Sequence, residues 1–516
     1  FIFFLNFVCK KILRKKMENL FSKFILSPFL YNIVKFSARN AFCINEKFYT
    51  YNHLVKNISK VRIALGTKTI NSPLFGLVVN DDIETYASIF ALWLEGFAYV
   101  PLHPKQPIER NIEIIDQADI ELILDSSKYT RFKEFKIIKT SSLKPEKINI
   151  QPKSVPDTSL AYMLFTSGST GKPKGVQISR KNIGAFMKSF WKTGISINET
   201  DRCLQCFDLT FDVSIQSYLV PLTTGACTYT VPHDEIKYSY VFGLLDDHKL
   251  TFGAMAPSMV RYLRPYFDEI NISSMRYSIL TAESSPVKLI KDWAKCIPNA
   301  KIFNFYGPTE ATIYCSYENF NTIEDNKHLN GMLSIGKIMS GFNSIIIDEN
   351  SNILEPGIKG ELCVSGNQIT NGYWGNSEKN KDSFFIKEID GIAQKFYKTG
   401  DLCYLDKDGD IMLIGRIDYQ VKIQGYRIEL GEIEYHSREI LEGINSVAVV
   451  VENTIGNSEI NLFIEDELNK SEKVTKYLKE KLPSYMLPTN IISIKPFPIN
   501  SSGKVDRTKL KKYKSE

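Results

Sequence analysis

Apolar positions along the chain fall into short runs that alternate with longer amphipathic stretches. Residues 74–79 form a run of buried-strand character, 83–94 carry helical spacing, Gly96 ends that helix, and 98–102 is again a strand. Glycine suits the helix end because it takes a positive φ without a Cβ clash. The pattern repeats down the chain. Residues 48–54 introduce a helix, while 160–165, 175–179, 202–207 and 227–231 read as strands; 212–222 reads as a helix and 256–258 as a turn. Alternation of this kind implies a parallel sheet of the α/β class. After about residue 330 the texture shortens to strands and turns. Residues 360–366 form one strand, 397–401 and Gly409-Asp410 bracket the next, and 415–418 close the series, with Asp401 and Arg416 at strand ends. This is a β-rich subdomain. From about 419 onward a last region has its own strands and helices, punctuated by Gly425 and Gly431 and by a late loop at 500–504.

Composition narrows the class. With 516 residues, 43% hydrophobic and 24% charged, the chain is of ordinary globular make-up and long enough for more than one domain. Net charge is +6, much of it in the tail 504–514, and no basic stripe with interleaved aromatics speaks for nucleic acid. The nine cysteines are scattered and odd in number, the pattern of free thiols in a reducing, cytoplasmic setting. Cys203 and Cys206 form one CxxC without a second pair or nearby histidines, which argues against metal or redox use. Residues 1–16 place an apolar run before Lys10, Lys11, Arg14, Lys15 and Lys16. A signal peptide has the opposite order and a membrane span needs ~20 apolar residues. With Met17 as the start, 1–16 reads as an extension outside the fold, an amphipathic surface anchor being the alternative. No stable membrane insertion is expected.

The candidate chemistry begins at Thr166-Ser167-Gly168-Ser169-Thr170-Gly171-Lys172-Pro173-Lys174-Gly175, between two strands. Glycines let backbone N–H groups turn toward an anion, hydroxyls add donors and lysines neutralise charge, so the loop suits a polyphosphate. It is not a Walker A loop, because Gly168 and Gly171 are too close and Pro173 follows Lys172. Further on, a strand at 301–306 runs into Gly307-Pro308 carrying Thr309 and Glu310. A carboxylate accompanying such a phosphate loop suits Mg²⁺, which shares its coordination with phosphate and water; Glu310 reads equally as an acid at a helix start. Asp401 and Arg416 offer one acceptor and one donor to a ribose, or serve as turn residues.

Taken in order, these anchors resemble the adenylate-forming superfamily of acyl-CoA synthetases, luciferases and nonribosomal peptide synthetase adenylation domains. The resemblance runs from about Phe48 to Arg507 and rests on 162–175, Phe211-Asp212-Val213-Ser214, 304–312, Gly360-Glu361-Leu362, 397–401, 415–434 and 500–507. The strings 175–179 and 425–436 are most similar to D-alanine–carrier protein ligases and stand-alone amino-acid adenylation enzymes. The resemblance implies an α/β protein: a large N-terminal domain of packed α/β subdomains plus a β subdomain (17–417), and a small mobile α+β C-terminal domain (418–516). It implies that the phosphate loop, through Thr166, Ser167, Gly168, Ser169, Thr170, Gly171 and Lys174, holds the pyrophosphate of ATP. Glu310, with Thr309 beside it, would hold Mg²⁺. Asn304 would meet the adenine amino group and Tyr306 the ring, Asp401 and Arg416 the ribose. Asp418 matches the hinge and Lys504 the catalytic lysine.

By the same register Asp212, Val213, Gln216, Ala254, Ile279, Thr281, Phe305, Ile313 and Tyr314 would line the acyl pocket. D-alanine ligases carry Cys at the position of Thr281 and a smaller residue at that of Phe305. The implied reaction joins a carboxylate to the α-phosphate of ATP. It then passes the acyl group to the phosphopantetheine thiol of a carrier protein, and the chain's end twelve residues after Lys504 suggests that this partner is separate. Asp212 argues for an amino acid substrate, since a buried carboxylate calls for an ammonium partner; capping of a helix start is its structural alternative. The competing enzyme is an acyl- or aryl-CoA ligase of the same fold, and the competing class a non-catalytic scaffold, which would have no need of the lysine or the phosphate loop.

Overall fold

The computed structural model describes residues 19–68, 72–144, 147–168, 171–500 and 505–513. They pack as two units. The larger comprises Phe1–Pro104, Gln117–Leu164 and Gly175–Ile417; the smaller comprises Lys105–Asp116, Phe165–Lys174 and Asp418–Glu516.

In the larger unit a nine-stranded sheet runs in the order Lys337–Ile338, Ser316–Phe320, Lys301–Tyr306, Tyr277–Leu280, Phe252–Met255, Arg202–Gln205, Cys227–Thr230, Asn40–Ile44, Lys47–Thr50. Its six central neighbours pair in parallel, and antiparallel strands close both edges. A second sheet places Leu74–Val78 between Leu122–Asp125 and Ala98–Leu102, again in parallel. Buried on every residue, the 74–78 and 98–102 strands carry the continuous apolar runs expected of a sheet covered on both faces. The helix Ile83–Glu95 shows why the boundaries were readable. Asp82 caps its start by accepting from the Thr85 N–H at 2.8 Å, and Gly96 ends it at φ 94°. A side chain at Gly96 would also place its Cβ 2.7 Å from Val155.

Two boundaries differ from expectation. The predicted turn at 256–258 is the start of a helix, Pro257–Leu263, with proline at its first position, where the missing N–H costs nothing. Asp401 does not end a strand but lies inside Ile392–Leu405, a 14-residue strand of a five-stranded β sheet. The turn-like string 397–401 misleads because Gly400, at φ 72°, sits in a bulge rather than a turn: the register against 360–366 shifts between Lys398 and Leu402, that against 411–416 between Leu402 and Cys403, and the strand continues beyond both. Arg416 does end its strand, Ile411–Arg416.

The smaller unit has a hairpin (Gln420–Ile423 with Tyr426–Glu429), the helix Leu430–Ile440 and the helix Ser471–Lys481. Its three-stranded sheet runs Ser446–Glu452, Ser458–Ile464, Asn490–Ser493. Its core gathers Ile428, Ile433, Leu462, Val474 and Leu478. The α/β class is the one the apolar pattern predicts, and a large and a small unit are what the family resemblance implies. Eight cysteines are free thiols among the described residues, Cys203 and Cys206 included, and all are buried. No described helix is long and apolar enough to cross a membrane.

Candidate active site

In the larger unit the strand Lys301–Tyr306 serves two faces. Residues paired across parallel strands project to the same side, and so do positions i and i+2. Ala254 pairs with Ile279 and Ile279 with Phe303, so these share a face with Phe305; Leu280 pairs with Asn304, on the face of Tyr306.

On the Asn304 face the polar groups are tied together. Asn304 accepts from Ser285 Oγ at 2.9 Å and donates Nδ2–H to the Ser334 carbonyl at 2.9 Å. An amide has two donors and two acceptor positions, so one of each remains for a ligand. Tyr306 donates its hydroxyl to Asp401 Oδ2, and Arg416 Nη1 donates to Asp401 Oδ1 at 2.9 Å. Asp401 and Arg416 are direct cross-strand partners, which brings their side chains together by register alone. Thr399 accepts from the Asp401 N–H at 3.1 Å and its carbonyl accepts from Arg416 at 3.1 Å. Burial, then the Asp401 charge, push the Tyr306 hydroxyl well above its ordinary range, so it stays a donor.

Thr309 and Glu310 lie in the short turn Thr309–Ala311. The Glu310 side chain is fully buried and its Oε1 accepts from the Tyr373 hydroxyl at 2.7 Å. Acceptor-only carboxylate oxygens at this depth fit a hard divalent cation. The turn is held by a close backbone approach. A Cβ on Gly307 would fall 2.3 Å from the Ile313 carbonyl oxygen, so only glycine fits.

On the other face all nine expected acyl-pocket residues are buried. Tyr314 is their centre. Its hydroxyl lies 3.5 Å from Gln216 Oε1 and hydrogen-bonds Thr281, and its ring lies 4.8 Å from that of Phe305. Phe305 stacks in turn on Tyr317. Ala254 and Ile279 are neighbours in the sheet, Ile313 precedes Tyr314 at φ 75°, and Asp212, Val213 and Gln216 sit on the helix Asp212–Leu222. Gln216 Nε2 is buried with no hydrogen-bond partner among the described residues. Burial, then the charge of Asp212, push the Tyr162 hydroxyl well above its usual range, and Asp212 acts on Tyr314 in the same sense.

Within the smaller unit the loop expected to hold phosphate contacts carboxylates. Gly168 N–H donates to Glu432 Oε2 at 3.1 Å, and Lys174 Nζ lies 3.1 Å from Glu429 Oε1. Ser167 Oγ donates to the Arg427 carbonyl at 3.0 Å and accepts from the Glu429 N–H at 3.2 Å. Gly171, at φ 83°, lies against Tyr435, whose ring would be 2.4 Å from a Cβ there. Thr166 Oγ1 is buried with no hydrogen-bond partner among the described residues. An N–H and a lysine that take carboxylates, beside an idle hydroxyl, fit a phosphate chain. Asp418 opens the last segment of this unit and accepts from the Gln420 N–H at 3.1 Å. Ser169, Thr170 and Lys504 lie outside the described residues.

The profile of AMP-binding enzymes matches residues 32–374, more than half of the chain. The chain belongs to this family. Tyrocidine synthase 1 of Brevibacillus parabrevis is 29% identical over 498 residues, covering 92% of this chain and 44% of that protein. Gramicidin S synthase 1 of Brevibacillus brevis is 30% identical over 481 residues, covering 91% of this chain and 42% of that protein. The chain therefore spans less than half the length of these curated relatives. Among solved structures, the Vibrio cholerae adenylation domain AlmE in complex with glycyl-adenosine-5'-phosphate superposes with a TM-score of 0.81 at 22% identity. That match covers 94% of this chain and 96% of that one. It is a likeness of fold.

In this AMP-binding enzyme several members of the site carried no readable signal. Tyr373 reaches Glu310 across 63 positions of sequence, and Ser285 and Ser334 reach Asn304 across 19 and 30. Glu429 and Glu432 stand inside the 415–434 string, yet nothing in their spacing points to the phosphate loop.

Proposed function

We propose that the chain activates a small amino acid with ATP as its aminoacyl-adenylate and passes it to the phosphopantetheine thiol of a separate carrier protein. The observation that carries this reading is Asp212, a buried carboxylate whose charge is felt by Tyr162 and Tyr314. An α-ammonium group is the complement of such a carboxylate, and a simple acid would leave it buried opposite an apolar group. Phe305 and Tyr314 fill volume, which favours a small side chain, and Gln216 Nε2 is a donor with nothing yet to donate to among the described residues. The glycyl-adenosine-5'-phosphate held by the Vibrio cholerae relative is a small aminoacyl-adenylate, in keeping with this reading.

The residue roles follow the same proposal. The phosphate loop binds the pyrophosphate end of ATP, Asp401 and Arg416 orient the ribose, and Asn304 reads the adenine edge. Glu310 holds Mg²⁺, which supplies charge neutralisation on the phosphates. Lys504 places a positive charge where carboxylate and α-phosphate oxygens meet, the arrangement that lowers the barrier between two anions. Asp418 serves as hinge.

ATP–pyrophosphate exchange tests the substrate class. Both enantiomers of alanine and serine, larger amino acids, propionate and benzoate are compared. Small amino acids are expected to support exchange, and propionate to fall at least ~100-fold lower, as a site built for a polar group rejects the analogue lacking it. Propionate or benzoate matching the best amino acid overturns the reading in favour of an acyl- or aryl-CoA ligase.

A further inference from the structure

Four strands of the larger unit lead into groups that the proposed reaction does not use, three side chains and one backbone carbonyl. Val79 follows Leu74–Val78, His103 follows its neighbour Ala98–Leu102, Asp208 follows Arg202–Gln205, and His233 follows the adjacent Cys227–Thr230. One ligand atom from each of His103, Asp208 and His233 lies within 4.8 Å of the other two. His103 Nε2 is 2.7 Å from Asp208 Oδ2, and the two imidazole rings are 5.4 Å apart between centroids.

Two of the three are oriented from behind. His233 Nε2 lies 3.1 Å from the Val79 carbonyl; a carbonyl only accepts, so this contact places a proton on Nε2 and leaves Nδ1 as the nitrogen a metal would take from the neutral ring. Asp208 Oδ1 accepts from the Thr210 N–H and hydroxyl, each at 2.8 Å, leaving Oδ2 toward the cluster. Outer partners of this kind fix the tautomer and direction of metal ligands.

We propose that His103, Asp208 and His233 form a binding site for a divalent transition cation of the Zn²⁺ class. Two imidazole nitrogens and one carboxylate oxygen are an ordinary three-ligand zinc set with water in the fourth position. A tetrahedral ion with bonds of ~2.0–2.2 Å wants its ligands roughly 3.4 Å apart, so side-chain rotation of about an ångström assembles the site. The proton shared by His103 Nε2 and Asp208 passes to solvent as the nitrogen takes the metal. The site ties the ends of two sheets, and its Asp208 lies four residues before Asp212, the first residue of the helix Asp212–Leu222. A second cluster, Cys43, Glu46 and His248, is the weaker candidate. Glu46 is largely exposed, and burial followed by the Glu46 charge pushes the Cys43 thiol up to about 11, which disfavours the thiolate a metal needs.

The test is Zn²⁺ titration of the full chain, followed by Co²⁺ substitution and visible spectroscopy. One ion per chain is expected, with a four- or five-coordinate Co²⁺ spectrum lacking thiolate charge-transfer bands. His233→Ala should weaken binding by more than the ~10–100-fold typical of lost outer partners, and Thr210→Val by about that amount. His248→Ala should bind as the parent does. His233→Gln and circular dichroism guard against misfolding, and the Co²⁺ spectrum of the parent needs no variant. Binding unchanged in His233→Ala, a thiolate spectrum, or no binding above the aquo ion overturns the proposal. None of these readouts depends on the substrate class.

Discussion

The Asp401 cluster and the Tyr314 cluster occupy opposite faces of one strand and are built on opposite terms. Around Asp401 every polar group finds a partner in the fold: Tyr306 on one oxygen, Arg416 on the other, Thr399 behind both. Around Tyr314 the walls are apolar, hydroxyls are few, and Gln216 keeps an amide donor idle among the described residues. The first region is a closed electrostatic frame whose members cannot be changed singly. The second is a packed wall with a polar group held open. Buried ionic networks are costly to break one member at a time, whereas apolar walls tolerate exchange of similar volume.

Deleting the frame's central charge separates the two regions most sharply. Asp401→Ala takes the shared carboxylate away from Arg416 and Tyr306, leaving the guanidinium its Thr399 carbonyl but no counter-charge there, and should cost ~3–5 kcal/mol, the scale for breaking a buried pair. Urea denaturation measures it, and a loss below ~1 kcal/mol would mean the pair is solvated. The double variant Asp401→Ala, Arg416→Met should recover part of the loss. Gly307→Ala strikes the turn that serves both faces, and its Cβ clash with the Ile313 carbonyl should cost ~1–3 kcal/mol. Gly243→Ala is its control: inside the helix Lys237–Asp247, with only Asp247 Oδ2 nearby at 3.8 Å, it should stabilise by ~0.5–1 kcal/mol. Equal signs for the two glycines would refute the close-approach argument. Tyr314→Phe removes the hydroxyl shared by Thr281 and Gln216 and should cost about 1 kcal/mol. Smallest of all, Gln216→Leu removes an amide donor that no described residue accepts from together with the long 3.5 Å contact from the Tyr314 hydroxyl, so it should cost no more than about 1 kcal/mol, yet exchange with polar amino acids should fall relative to alanine. A destabilisation by Gln216→Leu as large as that of Asp401→Ala would erase the distinction between the faces.

Local signals carried most of the fold. The helix Asp212–Leu222 falls where the apolar spacing puts it, and Gly96 ends Ile83–Glu95 as its φ of 94° requires. Motif order carried the family. Tertiary overrides were hidden. The 392–405 strand continues through a glycine that usually marks a turn, so Asp401 reads as a strand end, and its direct pairing with Arg416 has no signal in the sequence. Proline at 257 signals a stop or a helix start with equal force, and only the structure chooses. Tyr373, Ser285 and Ser334 act on the site through contacts that no periodicity encodes, because a side chain supporting another across dozens of residues leaves no local pattern.

The pleat of the Lys301–Tyr306 strand has an evolutionary consequence. Alternate residues leave it in opposite directions, so Asn304 and Tyr306 belong to one neighbourhood and Phe305 to the other. A change at 305 reshapes one compartment while the hydrogen bonds at 304 and 306 stay in place. The strand is a partition through which drift on one side does not propagate. A single substitution at Phe305 can therefore repack the Tyr314 and Tyr317 side while the hydrogen bonds of Asn304 and Tyr306 stay in place.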